Sequence, residues 1–154
     1  MTFAEIMPLL FLGLITVGIG IGIFFAQRRH WRRKALLCNR PQVASRNFGT
    51  KFYRDHKQAE LASRLRDMLA KNLEISLDGL RPTDRLKEDL LFDLWSDPDF
   101  FWDLEKEFGI KTEIDDDDDE GYERLQQVFK QLATFHDVVC YVEGKLGATQ
   151  CKAQ

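Results

Sequence analysis

The chain has 154 residues, and its formal net charge of −3 conceals two segments of opposite charge. Residues 27–57 carry ten Lys and Arg against one acid, whereas residues 58–154 carry twelve against 23 acids. This length suits one domain of ordinary size with a short extension. The spacing of Cys38, Cys140 and Cys151 excludes a recognisable cysteine metal motif.

The extension is the uncharged stretch of 21 residues from Ile6 to Ala26. A helix of this length matches a hydrocarbon core of about 30 Å, so we expect a transmembrane helix and assign residues 1–27 to the anchor. A cleaved signal peptide is the alternative, but Glu5 precedes the apolar run and no Lys or Arg does. Gly18 and Gly22 have the Gly-x-x-x-Gly spacing that permits close helix packing in membranes, so a homodimer through this helix is an open alternative.

Five cations follow the apolar stretch directly. They are Arg28, Arg29, Arg32, Arg33 and Lys34. Because cations flank the cytoplasmic end of a membrane helix, we expect the N-terminus outside and the remaining chain in the cytoplasm, at the inner membrane if the organism is bacterial. We expect the five side chains to lie at the anionic surface of the bilayer. No nucleic-acid recognition motif accompanies them, so nucleic acid is not expected as a partner.

Residues 28–54 are predicted to be a basic juxtamembrane segment and linker, since Leu36 to Tyr53 shows no sustained periodicity. A first amphipathic helix is then predicted from Asp55 to Leu73, with Arg66 on its polar face. A long connection from Glu74 to Leu90 follows. Its scattered apolar residues are expected to reach the core.

Ser96 or Asp97 is predicted to cap a second helix that ends before Gly109. An exposed acidic turn is expected from Ile114 to Glu120, and its aspartates, residues 115–119, lack the spacing of an EF-hand loop. A third apolar face follows over residues 122–132. Thr134 and Asp137 predict the capping pair of a fourth helix that Gly147 ends, which leaves residues 148–154 as a tail. The fold class predicted for residues 55–147 is all-α, a four-helix bundle.

Residues 88–95 read Glu-Asp-Leu-Leu-Phe-Asp-Leu-Trp, which resembles the Glu-Asp-Leu-Gly-x-Asp-Ser-Leu motif of acyl carrier proteins. The resemblance extends over about residues 58–147 and implies the four-helix fold of that family. Leu94 occupies the place of the serine that bears phosphopantetheine in the family. Leucine has no hydroxyl to phosphorylate, so no cofactor is expected.

Phe100, Leu104 and Phe108 recur at i, i+4 and i+8 and are expected to form the buried face of the second helix, which leaves Phe101 and Trp102 on its flanks. The resemblance also implies that partners dock on this acidic helix, helix II of the family. Leu94, Trp95 and Trp102 are candidates for an apolar patch with an acidic rim, and the alternative is that these aromatics fill the space where a carrier shelters its acyl chain. The candidate docking residues are Asp93, Leu94, Trp95, Asp97, Asp99, Trp102 and Asp103. Their charge favours a protein partner with a basic surface.

No nucleophile motif, metal ligand set or phosphate loop is recognisable, so the chain is not expected to be an enzyme. The leading hypothesis is a non-enzymatic, membrane-anchored docking module with an acyl-carrier-like domain. Two alternatives stay open. One is a true carrier modified at Ser96 in a shifted register, and the other is a structural membrane component that assembles through Gly18 and Gly22.

Overall fold

The computed structural model describes residues 3–93, 99–112 and 119–152. Within these residues the chain forms six helices and no strand, so the prediction of an all-α fold is confirmed. The helices are α1 (Phe3–Cys38), α2 (Ser45–Phe52), α3 (His56–Leu73), α4 (Asp99–Phe108), α5 (Asp119–Gln131) and α6 (Phe135–Lys152). The chain consists of two compact units, Met1–Arg32 and Arg33–Gln154.

The first unit consists of the greater part of α1. From Ile15 to Phe24 every described residue is exposed, whichever side of the helix it occupies. The side chains of residues 3–14, which include the start of the predicted span, lie outside the described ones. Among the residues that the structure describes, no helix meets the combined length and apolarity needed to cross a membrane.

Helix α3 occupies the centre of the second unit, where it contacts α2, α4 and α6. The Asp55 carboxylate accepts a hydrogen bond from the backbone N–H of Gln58 at 2.9 Å and so caps its first turn. Glu74 ends the helix in the left-handed conformation, with φ of 53°. The first amphipathic helix therefore begins and ends where the sequence predicts.

Helix α2 corrects the prediction of an irregular linker between Leu36 and Tyr53. Helix α1 continues to Cys38, and Ser45–Phe52 forms a further helix whose Phe48 is fully buried. Gly49 allows α2 to cross α3 closely, because a Cβ there would lie 1.8 Å from the carbonyl oxygen of Ala59. A helix of 8 residues with one central anchor is too short to give a clear periodicity.

The connection from Glu74 to Leu90 is irregular, as predicted, and its apolar residues join the core. They are Ile75, Leu77, Leu80, Leu86 and Leu90, all buried. Arg66 of α3 packs against this connection and was wrongly placed on the polar face, since it is only 2% exposed. Its guanidinium donates to the carbonyl of Leu77, pairs with Asp78 and covers the Phe48 ring. A buried cation with such partners cannot be recognised from helical periodicity.

Helix α4 ends at Phe108, and Gly109 follows it with φ of 63°, as the predicted stop requires. The predicted capping pair of α6 is confirmed: the Asp137 carboxylate accepts from the Thr134 N–H, and the Thr134 hydroxyl accepts from the Asp137 N–H. The predicted stop at Gly147 is wrong, because α6 continues to Lys152. Glycine lowers helix propensity without ending a helix unless the backbone turns left-handed. Residues 114–118 of the expected acidic turn lie outside the described residues, and Asp119 and Glu120 begin α5 instead of ending a turn.

Candidate docking surface on α4

Helix α4 buries one face and exposes the other. Phe100, Phe101 and Leu104 are at most 1% exposed, whereas Trp102 is 44% exposed. The prediction that Phe101 lies on the flank of the helix is therefore wrong. Trp102 is the large apolar side chain that α4 offers to solvent, because it points away from the stripe formed by Phe100 and Leu104.

An aromatic cluster fills the interior behind α4. The ring centroids of Phe92 and Phe100 lie 5.1 Å apart, those of Phe100 and Phe101 5.4 Å, and those of Phe92 and Phe129 5.6 Å. The first two pairs are edge-to-face, and such pairs at these distances stabilise a core beyond their area burial. The described interior on this side of the domain is thus packed with phenylalanine rings, whereas Trp102, which the sequence offered as a residue that fills this space, is exposed.

Asp99, Trp102, Asp103 and Lys106 follow one another at i, i+3, i+4 and i+7, so they share a stripe of α4. Asp99 and Lys106 are exposed, and Asp103 is half-buried. The Asp103 carboxylate accepts a hydrogen bond of 2.9 Å from the side-chain amide of Asn72 on α3. Asp103 therefore helps to hold α4 against α3, a role that sequence reasoning missed.

The two glutamates near the end of α4 also have intramolecular partners. Glu105 accepts from the Thr112 hydroxyl at 2.6 Å, and Glu107 pairs with Arg64 at 2.7 Å. The Arg64 guanidinium also lies 4.8 Å from the centroid of the Phe108 ring. Asp103, Glu105 and Glu107 thus have partners within the domain. Among the described acids of α4, Asp99 is the one that is exposed next to Trp102.

A groove runs between α3 and α4. It is lined by three cationic residues, Arg64, Lys71 and Lys106, and by three acidic residues, Asp67, Asp103 and Glu107. Three cations face three anions, so the groove has no net charge to attract a basic partner. The acidic end of the candidate surface is instead the beginning of α4, where Asp99 lies.

The remaining predicted docking residues precede α4. Asp93 is half-buried, and Leu94, Trp95 and Asp97 lie outside the described residues, as does Ser96. The structure thus brings Asp99, Trp102 and Asp103 together on one stripe and gives no position for the three residues before it.

The loop that leads to this surface is held by Arg33. Its Nε donates to the carbonyl oxygen of Leu90 and its Nη2 to that of Leu91, both at 2.7 Å. Leu91 occupies the left-handed region with φ of 50°, where a non-glycine residue needs such support. Arg33 is 6% exposed, so its predicted place at the membrane surface is wrong.

The other four predicted membrane-surface cations remain accessible. Arg28, Arg32 and Lys34 are exposed, and Arg29 is half-buried. Trp31, which lies among them, is 63% exposed. The position of Arg33 in a run of cations hides its different role, since nothing in its sequence neighbourhood separates it from the residues on either side.

Neither the protein-family models nor the curated proteins contain a match to this chain. The likeness to acyl carrier proteins consequently rests on the motif at residues 88–95 and on the apolar pattern of residues 58–147.

Proposed function

We propose that this chain is a single-pass membrane protein whose helical domain, similar to an acyl carrier protein, is a non-enzymatic docking module for a protein with a basic surface. The observation that carries the proposal is the exposed Trp102 beside Asp99, on a helix whose inner face is filled by Phe100 and Phe101. An aromatic anchor with a charged neighbour is the usual centre of a protein interface. The phenylalanine rings described behind α4 occupy space that an acyl chain would need.

The net charge supports a basic partner. Residues 58–154 carry 23 acids against twelve Lys and Arg. Such an excess accelerates encounter with a positively charged surface and repels acidic proteins. Because the acids at the end of α4 already have partners, specificity is expected to depend on the first turn of α4.

The docking test uses the tagged full-length protein, purified from its native membrane in mild detergent. The variant Asp99→Lys with Trp102→Ala reverses one charge and removes one aromatic anchor on the surface. Asp103 is left intact, because reversing its charge would break the hydrogen bond from Asn72 and disturb the packing of α4. Glu123→Lys is the matched control, since Glu123 is exposed on α5.

The expected result is a co-purifying protein with a basic surface that is retained with the Glu123→Lys control and reduced at least about tenfold with the double variant. Tenfold corresponds to about 1.4 kcal/mol, which is below the cost of losing one hot-spot residue. Raising the salt concentration should also reduce the wild-type yield. Equal yields with both variants would remove the docking proposal.

Membrane anchoring is supported by the described part of α1. Ile15, Val17, Ile19, Ile21 and Ile23 are each 45–60% exposed, and at 100° per residue they lie on two opposite sides of the helix, with no charged residue between them. A helix that is apolar on all sides belongs in a bilayer or in a protein core. The accessible cations after it favour the cytoplasmic side for the domain.

The orientation is tested with a membrane-impermeant maleimide on intact cells. Cys38 and Cys140 are exposed free thiols of the domain. They should be labelled only after permeabilisation, whereas a Thr2→Cys variant should be labelled from outside. Labelling of Cys38 or Cys140 in intact cells would contradict the proposed orientation.

One observation favours the structural alternative as a second candidate. The positions that a Cβ would take at Gly18 and Gly22 have no atom within 4 Å, so this side of α1 is open to another helix. If assembly through α1 is the function, Gly22→Ile should dissociate oligomers in detergent. The variant Asp99→Lys with Trp102→Ala would then have no effect on function. The docking proposal requires that this variant loses the partner, which separates the two proposals.

The carrier alternative predicts phosphopantetheine on Ser96. The intact mass of the protein from its native membrane decides this point, because the prosthetic group adds a defined mass that Ser96→Ala abolishes. Our proposal expects the mass of a chain without it.

A further inference from the structure

The end of α1 is part of the helical domain. Arg33 and Leu37 are 6% and 2% exposed, and both belong to the unit that begins at Arg33. A Cβ at Gly79 would lie 2.2 Å from the carbonyl oxygen of Leu37, so the connection after α3 passes directly against this part of α1. A domain that began at Asp55, as the sequence predicts, would lack both buried side chains.

The two hydrogen bonds of Arg33 lie on either side of a single backbone torsion. The φ angle of Leu91 is the rotation between the carbonyl carbons of Leu90 and Leu91, and these are the two carbonyl groups to which Arg33 donates. This angle is 50°, in the left-handed region that disfavours any residue with a Cβ. A planar guanidinium donates two hydrogen bonds in fixed directions, whereas the ammonium of Lys is a compact point charge. Arg33 is therefore suited to hold Leu91 in this conformation.

Phe92 connects this left-handed turn to α4. It follows the turn directly, is 1% exposed, and stands edge-on against the ring of Phe100, with the two centroids 5.1 Å apart. Phe100 lies in the first turn of α4, between Asp99 and Trp102, and is also 1% exposed. Because a close-packed core leaves little room for such rings to shift separately, the orientation of this first turn depends on the position of Phe92.

We propose that Arg33 is a positioning residue of the docking surface, which fixes the left-handed turn at Leu91 and, through Phe92, the orientation of the first turn of α4. The step from orientation to docking rests on the proposed function of α4. A partner would bind only while the end of α1 holds the loop. Because α1 is continuous over Phe3–Cys38, docking is thereby tied to the same helix that carries the proposed membrane span.

Fluorine NMR tests this positioning without any partner. The full-length protein in mild detergent is labelled with fluorotryptophan, and Trp102→Phe identifies the resonance of Trp102. Arg33→Met removes the donors and should displace this resonance, and Arg33→Lys, which keeps the charge but not the planar fork, should displace it in the same direction. Arg32→Met is the matched control, since Arg32 is the exposed neighbour, and should leave the resonance in place. Adding Leu91→Gly to Arg33→Met should return it towards the wild-type position, because glycine adopts the left-handed region without support.

A loss of stability alone does not move the resonance of a protein that stays folded, and circular dichroism shows whether each variant is folded. Arg33→Lys decides the point if Arg33→Met does not fold. An unmoved resonance in the folded Arg33 variants would overturn the proposal, as would an equal displacement in Arg32→Met. A displacement that Leu91→Gly does not reverse would also overturn it, because Arg33 would then act by a route other than the φ angle of Leu91.

The yield of the co-purifying basic protein measures the consequence for docking. It should fall at least about tenfold in Arg33→Met, which corresponds to about 1.4 kcal/mol, and stay at the wild-type level in Arg32→Met. Addition of Leu91→Gly should restore most of the yield. If the wild-type protein binds no partner, the docking function is wrong, and the Trp102 resonance still decides the role of Arg33. A wild-type yield in Arg33→Met with a displaced resonance would overturn the dependence of docking on Arg33.

Discussion

Phe101 and Trp102 are neighbours on α4, yet their replacement by Ala should have opposite consequences for stability and docking. Phe101 is 1% exposed, and its ring lies 5.4 Å from that of Phe100 and 6.4 Å from that of Phe129. Removal of a buried Phe costs about 3–5 kcal/mol, because transfer energy and contacts are both lost. Trp102 is 44% exposed, so its removal should cost less than about 1 kcal/mol.

The assay is urea unfolding of the full-length chain in mild detergent, followed by circular dichroism so that the loss of a tryptophan does not alter the signal. With a slope of about 1–3 kcal/mol per molar urea, Phe101→Ala should lower the midpoint by about 1 M or more. Trp102→Ala should keep the midpoint but lose the docking partner. The reasoning is refuted if Phe101→Ala costs under about 1 kcal/mol, or if Trp102→Ala costs as much as Phe101→Ala does.

Two further predictions concern the backbone and the charge of the domain. Glu74 and Gly109 both end helices with positive φ, which glycine adopts more easily than other residues. Glu74→Gly should therefore raise the free energy of unfolding by about 0.5–1 kcal/mol, and Gly109→Ala should lower it by a similar amount. Urea midpoints measure both changes, and opposite signs would contradict the left-handed assignment. The hydrogen bond from Ser76, followed by the Arg66 guanidinium, lowers the pKa of Asp78. The ionised Asp78 carboxylate, with these two partners, contributes stability that is present above about pH 4 and is lost as the pH falls through its lowered pKa. Unfolding free energies measured between about pH 7 and about pH 3 should therefore fall less steeply in Asp78→Asn, and equal slopes would count against this linkage.

Local signals account for the parts of the fold that the sequence predicted well. Asp55 before an apolar stripe predicted the start of α3, and the pair Thr134 and Asp137 predicted the start of α6. Gly109 predicted the end of α4. Each of these signals acts within one helical turn, so no tertiary contact is needed to interpret it.

The parts that were missed depend on contacts between distant segments. Helix α2 is identified by Phe48 in the core and by the close crossing at Gly49, and neither produces a helical period in eight residues. Arg33 was assigned to the membrane surface and Arg66 to solvent, because both are charged. Both are buried instead: Arg33 donates to the carbonyl group of Leu90, and Arg66 donates to that of Leu77 and pairs with Asp78. Phe101 was placed on the flank because the stripe of Phe100 and Leu104 was taken to be sufficient for the core.

Docking through the first turns of α4 is the central claim, and photocrosslinking tests it most directly. A photoreactive derivative of phenylalanine, which keeps an aromatic ring at the anchor position, replaces Trp102 in the full-length protein in its native membrane, and the same derivative replaces Glu123 as a control on α5. Our account predicts a light-dependent adduct from position 102 with a protein whose crosslinked surface is rich in Lys and Arg. The same position should give no adduct after Asp99→Lys. No adduct from position 102, or the same adduct from position 123, would contradict the account.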